Sequence, residues 1–81
     1  MFKNKGTNGK NNICGENIYK LRKQQSPKMS QRILAEKLPL FGIDVDKNAI
    51  QRIESGQRFV TDIELVKIAE IFDVSIDELV K

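Results

Sequence analysis

The amino-acid sequence predicts an all-α protein built from five short helices. Two segments, Thr61-x-x-Glu64 and Ser75-x-x-Glu78, match the capping box, in which two side chains satisfy free backbone amides at the start of a helix. Four apolar pairs spaced five residues apart flank plausible N-cap residues, as in the hydrophobic staple. These pairs are Met29/Leu34, Val45/Ile50, Val60/Leu65 and Val74/Leu79. No strand pattern competes with these signals.

Helices 1 and 2 are predicted from an N-cap, apolar spacing and two prolines. Helix 1 should span about residues 15–25 and end at Ser26-Pro27, because the residue before a proline is disfavoured in a helix. Helix 2 should begin after the N-cap Ser30 and end or bend near Pro39, which lacks a backbone donor. The expected core residues are Cys14, Ile18 and Leu21, followed by Ile33, Leu34, Ala35 and Leu38.

Helices 3, 4 and 5 are predicted to begin after Asp46, Thr61 and Ser75. Helix 3 should cover about residues 47–54 and stop at Gly56, since glycine readily takes the left-handed conformation that ends helices. Helix 4 should run to about Phe72. The expected core residues are Ile50, Ile53, Phe59, Val60, Leu65, Ile68, Ala69, Phe72 and Leu79.

The chain divides into a basic arm and one small domain. Residues 1–12 contain almost nothing apolar after Phe2, so we expect a disordered arm, whereas residues 13–81 should form the domain. Residues 1–28 carry seven basic and one acidic side chain, a net +6, and residues 29–81 carry seven basic and ten acidic side chains, a net −3. Lys3, Lys5 and Lys10 either add salt-dependent affinity for DNA or only keep the arm in solution.

The sequence argues against catalysis, a metal site and a cofactor. It contains no histidine, no glycine-rich phosphate loop and no plausible nucleophile and base. Cys14 is the only cysteine, and its spacing with Ile18 indicates a small core residue. The chain also lacks an apolar run long enough to cross a membrane and the apolar stretch of a secretory signal. We therefore expect a cytoplasmic protein.

Three segments, MSQRILAEKL, AIQRIESGQR and ELVKIAEIFDVSIDEL, occur in the order and at nearly the spacing of one known family. Through them, residues from about 13 to 80 resemble the helix-turn-helix domain of the phage Cro and repressor type, the XRE family. The resemblance implies a compact five-helix bundle of the lambda-repressor-like type, which usually binds operator DNA as a homodimer. In such domains helix 2 touches the phosphate backbone and helix 3 enters the major groove.

The resemblance implies DNA contacts at three places. Base contacts fall on the outward face of helix 3, at Lys47, Asn48, Gln51 and Arg52, whose side chains suit guanine or adenine edges. Phosphate contacts are implied for Ser30 and Gln31, and for Arg58 and the backbone amides of the turn after helix 3. The alternative for the helix 3 face and for Gln31 is an ordinary solvated helix surface.

The resemblance also implies an ion pair between Arg22 of helix 1 and Glu54 of helix 3, which would brace helix 3. Two solvated surface charges are the alternative. The connection between helices 2 and 3 departs from the family pattern, because PLFGIDVD follows Leu38 where a tight turn is usual. Either helix 2 extends past a kink at Pro39, or a loop bulges between the helices.

Two functions of different classes remain. The polar and basic face of helix 3 favours a sequence-specific transcriptional regulator, a repressor that binds double-stranded DNA as a homodimer. A protein-interaction module, such as an antitoxin or an accessory subunit, is the alternative. The apolar residues of the connection, Leu40, Phe41, Ile43 and Val45, either pack onto the domain or form an exposed patch that would favour a protein partner.

Overall fold

The computed structural model describes residues 3–4 and 9–81, and five α-helices carry the fold in this part of the chain, which confirms the all-α class. The helices are α1 (Gly15–Gln24), α2 (Gln31–Lys37), α3 (Lys47–Glu54), α4 (Asp62–Phe72) and α5 (Ile76–Val80). A 3-10 helix, Leu38–Phe41, continues α2, and the two-residue strands β1 (Lys3–Asn4) and β2 (Val60–Thr61) pair antiparallel. None of the helices within the described residues has the length and apolar character needed to cross a bilayer.

Side-chain caps start three of the helices where the sequence predicts them. Ser30 Oγ accepts from the Ile33 amide at 3.1 Å, and Asp46 Oδ1 accepts from the Ala49 amide at 2.8 Å. At Thr61 the whole capping box forms, because Glu64 Oε1 also accepts from the Thr61 amide at 3.0 Å.

The second predicted capping box, at Ser75, does not form. The Glu78 amide that the Ser75 hydroxyl would bind donates instead to the Ser75 backbone carbonyl at 3.1 Å. Helix α5 therefore begins with a backbone hydrogen bond between residues three apart, without a side-chain cap.

The inward faces of the helices form one core in the described part of the chain. Its fully buried members include Cys14, Ile18, Leu34, Leu38, Ile50, Ile53, Val60, Ile68 and Leu79, all of them predicted. The prediction for Phe59 is wrong, since 39% of its surface is exposed. Neighbouring residues of an extended segment point to opposite sides, and here Val60 takes the inward side. Cys14 is fully buried in the core, and this burial raises the pKa of its thiol to about 12.

The connection between α2 and α3 is a helical extension followed by an extended segment. Pro39 cannot donate to the α-helical ladder, and the chain tightens into the 3-10 helix there, which ends at Gly42 with φ 88°. The first alternative, extension of helix 2 past Pro39, is therefore the observed one. The apolar residues divide: Ile43 and Val45 pack against the core, whereas Leu40 is 84% exposed and Phe41 is partly exposed.

Residues 11 and 12, at the end of the expected arm, lie against the turn after α3. The backbone amide of Asn11 donates to the carbonyl of Gly56 at 2.7 Å, and Asn12 is buried. Lys10 forms an ion pair with Glu16 at 3.1 Å. Residues 1–2 and 5–8, and with them the prediction for Lys5, lie outside the described residues, as does the side chain of Lys3.

Candidate nucleic-acid interface

One side of α3 is anchored in the core and the other is open to solvent. Ile50 and Ile53 are almost fully buried, while the predicted reading residues Lys47, Asn48, Gln51 and Arg52 are all exposed. Among the described residues, none of these four side chains has a protein partner for a hydrogen bond or an ion pair. The structure thus presents two cations and two amides on one helix face, as the sequence predicts, and leaves their hydrogen-bonding groups free for a ligand.

A shallow groove beside α3 adds a residue that the sequence analysis did not select. Asn48, Gln51 and Arg52 line this groove together with Ser55 and Gln57 from the turn after the helix. Gln57 is exposed, and its carboxamide belongs to the same class of base-reading side chain as Gln51. Because Gln57 follows the predicted end of helix 3, helical periodicity does not identify it as part of this surface.

A second depression, between the start of α2 and the start of α3, is basic. We call it the basic depression. It is lined by Arg22, Lys23, Lys28, Met29, Ser30, Gln31, Arg32 and Lys47, with no acidic side chain among them. Lys23, Lys28 and Arg32 were not selected from the sequence as phosphate ligands, although three cations near a predicted helix start were a readable signal. Lys47 belongs to both surfaces, so the basic depression adjoins the outward face of α3.

The predicted ion pair between Arg22 and Glu54 is present and nearly enclosed. Arg22 Nε lies 2.7 Å from Glu54 Oε2 and Arg22 Nη2 lies 2.8 Å from Glu54 Oε1, and only 6% and 7% of the two side chains are exposed. Arg22 Nη1 also donates to the Met29 carbonyl at 3.0 Å. Hydrogen bonding to Glu54 raises the pKa of Arg22 even though burial acts against it. This bidentate pair fixes the C-terminal end of α3 against α1.

Gln31 and Ser30, the predicted phosphate ligands of α2, both have structural partners. Gln31 Nε2 donates to Glu54 Oε1 at 3.0 Å, a bond that spans 23 residues and that the sequence analysis did not predict. The Ser30 hydroxyl oxygen is occupied as the N-cap acceptor. Each side chain still has one donor hydrogen, on the Gln31 amide and on the Ser30 hydroxyl, so a phosphate contact remains chemically open to both and stays a prediction.

The turn after α3 closes on itself, and its backbone amides, predicted to bind phosphates, donate to carbonyls of α3. The amides of Gly56 and Gln57 donate to the carbonyls of Ile53 (3.1 Å) and Arg52 (2.8 Å), the pair of bonds that defines a Schellman motif, with Gly56 at φ 85°. The amides of Ser55 and Arg58 likewise donate to carbonyls of α3. With these donors already satisfied, the turn offers a phosphate only its side chains.

Arg58 forms a bidentate ion pair with Glu64. Its two terminal nitrogens donate to the two carboxylate oxygens of Glu64, both at 3.1 Å, and one of them also donates to the Phe59 carbonyl at 3.3 Å. Glu64 is the capping-box residue of α4, so this pair joins the turn after α3 to the start of α4. The structure gives Arg58 this structural role and offers no support for the phosphate contact predicted from its position.

The Arg58–Glu64 pair predicts a pH dependence. Burial alone would raise the pKa of Glu64, but hydrogen bonds from Arg58 and Thr61 outweigh it and lower the pKa below its usual 4.5. The stabilisation is therefore complete above about pH 4.5 and is lost as the pH falls from there through the lower pKa of the folded state. Urea unfolding at a series of pH values should show that the free energy of unfolding falls less with decreasing pH in Glu64→Gln than in the wild type. The same is expected for Arg58→Met. An unchanged pH profile in both variants would contradict this assignment.

In the described part of the chain, five helices place one polar and basic helix face beside a basic depression, an arrangement that suits a helix-turn-helix DNA-binding domain. A family model described as helix-turn-helix matches residues 18–79. The match covers most of the 81 residues, and the chain belongs to the Cro/C1-type helix-turn-helix family, also called XRE. It is thus a DNA-binding regulator of a family that is not typically enzymatic. No curated protein and no solved structure gave a significant match.

Proposed function

We propose that this protein is a sequence-specific transcriptional repressor that inserts α3 into the major groove of its operator and binds as a homodimer in the cytoplasm. The observation that carries the proposal is the outward face of α3, whose four side chains have no protein partners among the described residues. An α-helix fits the width of the major groove, and Arg, Lys, Asn and Gln are the side chains that pair with guanine and adenine there.

The basic depression supplies the electrostatic part of binding in this proposal. Lys23, Lys28 and Arg32 lie beside the start of α2, where helix-turn-helix domains cross the phosphate backbone. These cations contribute affinity that depends on salt and not on sequence. Ser30 and Gln31 add phosphate hydrogen bonds through their remaining donor hydrogens. Base and phosphate contacts thus fall on separate but adjoining surfaces.

The length of α3 supports the homodimer. Eight residues at 1.5 Å each make a helix of about 12 Å, which spans only about four base pairs. Two copies related by a two-fold axis would read two half-sites about one helical turn apart, and so double the number of base pairs that are read.

A protein-interaction module is the second candidate, and the Leu40 side chain favours it. Leu40 is 84% exposed on the 3-10 helix, next to the partly exposed Phe41. A contiguous exposed apolar patch, unlike a single apolar side chain, marks a protein-interaction site, and Leu40 and Phe41 are neighbours in the chain. This candidate is compatible with DNA binding, since a regulator can also hold a partner.

A binding selection from a randomised duplex pool, at physiological salt and with excess non-specific competitor, tests the proposal. Enrichment of an inverted repeat is the expected result, and its half-site spacing would report the geometry of the dimer. Salt-sensitive binding without any enriched motif would contradict sequence-specific regulation and favour the protein-interaction module.

A further inference from the structure

Two consecutive asparagines hold the turn that follows α3. Asn12 Nδ2 donates to the carbonyls of Ile53 (3.0 Å) and Arg58 (2.8 Å). Asn11 donates through its backbone amide to Gly56 (2.7 Å) and through Nδ2 to the Gln57 carbonyl (2.8 Å). Two adjacent residues that precede α1 thus bind four carbonyls, at the end of α3 and in the turn that follows it. We call this arrangement the asparagine clamp.

Asn12 is the central residue of the clamp because every hydrogen-bonding position of its side chain is used. In addition to its two donated bonds, Asn12 Oδ1 accepts from the Gly15 amide at 2.8 Å and from Cys14 Sγ at 3.7 Å. The residue is only 2% exposed. A saturated and buried amide has one low-energy orientation, so it joins the start of α1 to the end of α3 rigidly.

The clamp lies next to the proposed base-reading residues. Arg52 directly precedes Ile53, whose carbonyl Asn12 binds, and Gln57 directly precedes Arg58, whose carbonyl Asn12 also binds. Arg52 and Gln57 line the same exposed groove. A change in the orientation of the turn would therefore move both side chains relative to a bound duplex.

We propose that Asn12 is a positioning residue for DNA recognition: it fixes the angle of the C-terminal end of α3 and of its turn on α1, and so sets where Arg52 and Gln57 meet the bases. The proposal rests on the proposed function. It assigns a role in recognition to a residue that does not itself reach the DNA surface. It also implies that removal of the two donated bonds changes operator binding more than it changes non-specific binding.

Asn12→Ser removes the two donated bonds of the clamp and keeps a side-chain oxygen. Serine can still accept from the Gly15 amide, but it lacks the two amide donors and adds no charge. Leu79→Val is the control, because it perturbs the core at α5, away from α3. Both variants are compared with the wild type at a temperature where circular dichroism shows all three to be folded. The dissociation constants for the selected operator and for a scrambled duplex are measured, together with the hydrogen exchange of the Gln57 and Arg58 amides.

The expected result is a roughly tenfold or greater weakening of operator binding by Asn12→Ser, the loss that follows when one base contact is misplaced. Scrambled duplex should bind within about twofold of the wild type, since the cations of the basic depression are unchanged. The Gln57 and Arg58 amides should exchange faster in Asn12→Ser but not in Leu79→Val.

Three outcomes would overturn the positioning role: operator binding unchanged in Asn12→Ser, operator binding weakened equally in Leu79→Val, or equal weakening of operator and scrambled duplex. Failure of the proposed function has a different signature, because then the wild-type protein itself selects no operator. The exchange rates would in that case still report whether Asn12 holds the turn.

Discussion

Glu54→Gln is expected to lower the free energy of unfolding by about 3–5 kcal/mol, because it leaves the enclosed Arg22 guanidinium without its counter-charge. Glutamine has nearly the same shape as glutamate, so the loss does not come from a cavity. Glutamine also has only one acceptor oxygen where glutamate has two, so its NH2 group faces a donor of Arg22 or Gln31 and hydrogen bonding at this site is lost. A loss of this size is a large part of the stability of an ordinary small domain. Urea and thermal unfolding followed by circular dichroism measure it.

Glu36→Gln is the matched control for this prediction. Glu36 and Arg32 form an exposed ion pair at 3.7 Å within α2, and pairs of this kind contribute only about 0.3–0.5 kcal/mol. A double substitution, Arg22→Met with Glu54→Leu, should recover much of the stability lost in Glu54→Gln, because no charge is then left buried. If Glu54→Gln and Glu36→Gln cost the same, the enclosed pair does not brace α3.

Gly15→Ala is expected to destabilise the protein by about 3 kcal/mol, the upper end of the usual cost of overpacking. A Cβ atom at this position would overlap the backbone carbonyl oxygen of Ile53 and would lie 3.0 Å from that of Glu54. Backbone atoms of a buried helix end cannot move aside as a flexible side chain can. Helix propensity alone predicts the opposite sign, since alanine is favoured over glycine in a helix by about 1 kcal/mol. Thermal unfolding therefore distinguishes the two predictions by the direction of the shift in Tm.

Gly42→Ala is the control for Gly15→Ala. A Cβ atom at Gly42 would meet nothing within 4 Å, and the cost there is the positive φ of 88°, roughly 1–2 kcal/mol. The loss for Gly15→Ala should exceed it. An unchanged or raised Tm for Gly15→Ala would show that α1 and α3 are not in the close contact described here.

The sequence predicts the helix starts well because their signals are local. The capping box joins residues three apart and the staple joins residues five apart, so both are visible in a short window of sequence. The exceptions are local too. The Ser75 hydroxyl is predicted to cap α5, but the Ser75 backbone carbonyl accepts the hydrogen bond instead. Phe59 is predicted to be a core residue, but its neighbour Val60 takes the inward side.

The contacts that position α3 were harder to predict, because they join residues far apart in the chain. Asn12 binds Arg58 across 46 residues, and Gln31 binds Glu54 across 23. No periodicity or spacing reports such pairs, and only the family resemblance indicated the pairing of Arg22 with Glu54. Asn12 also lay in a segment whose composition favoured disorder. Its order comes from hydrogen bonds to α3 and not from apolar burial, on which the composition argument rests.

The outward face of α3 was predictable, since the same 3.6-residue period that places Ile50 and Ile53 inward places Gln51 and Arg52 outward. The role of Arg58 was not. A basic residue after a reading helix suits a phosphate, but Glu64 lies close enough in the folded chain to bind both ends of its guanidinium. The competing partner of a charged side chain depends on how the next helix packs, which the sequence pattern does not give.

The division of labour between α3, which we propose reads bases, and the basic depression, which we propose binds phosphates, is measurable as a difference in specificity and salt dependence. Operator and mismatched-operator affinities are measured over a range of salt concentrations for the wild type, Arg52→Ala and Lys28→Ala. Arg52→Ala should cost about 1–3 kcal/mol and relax the preference at one base pair of each half-site, whereas Lys28→Ala should weaken all sequences about equally and reduce the salt slope by about 1. If Arg52→Ala leaves the preference at every base pair unchanged and behaves as Lys28→Ala does, then α3 does not read the operator in the way proposed.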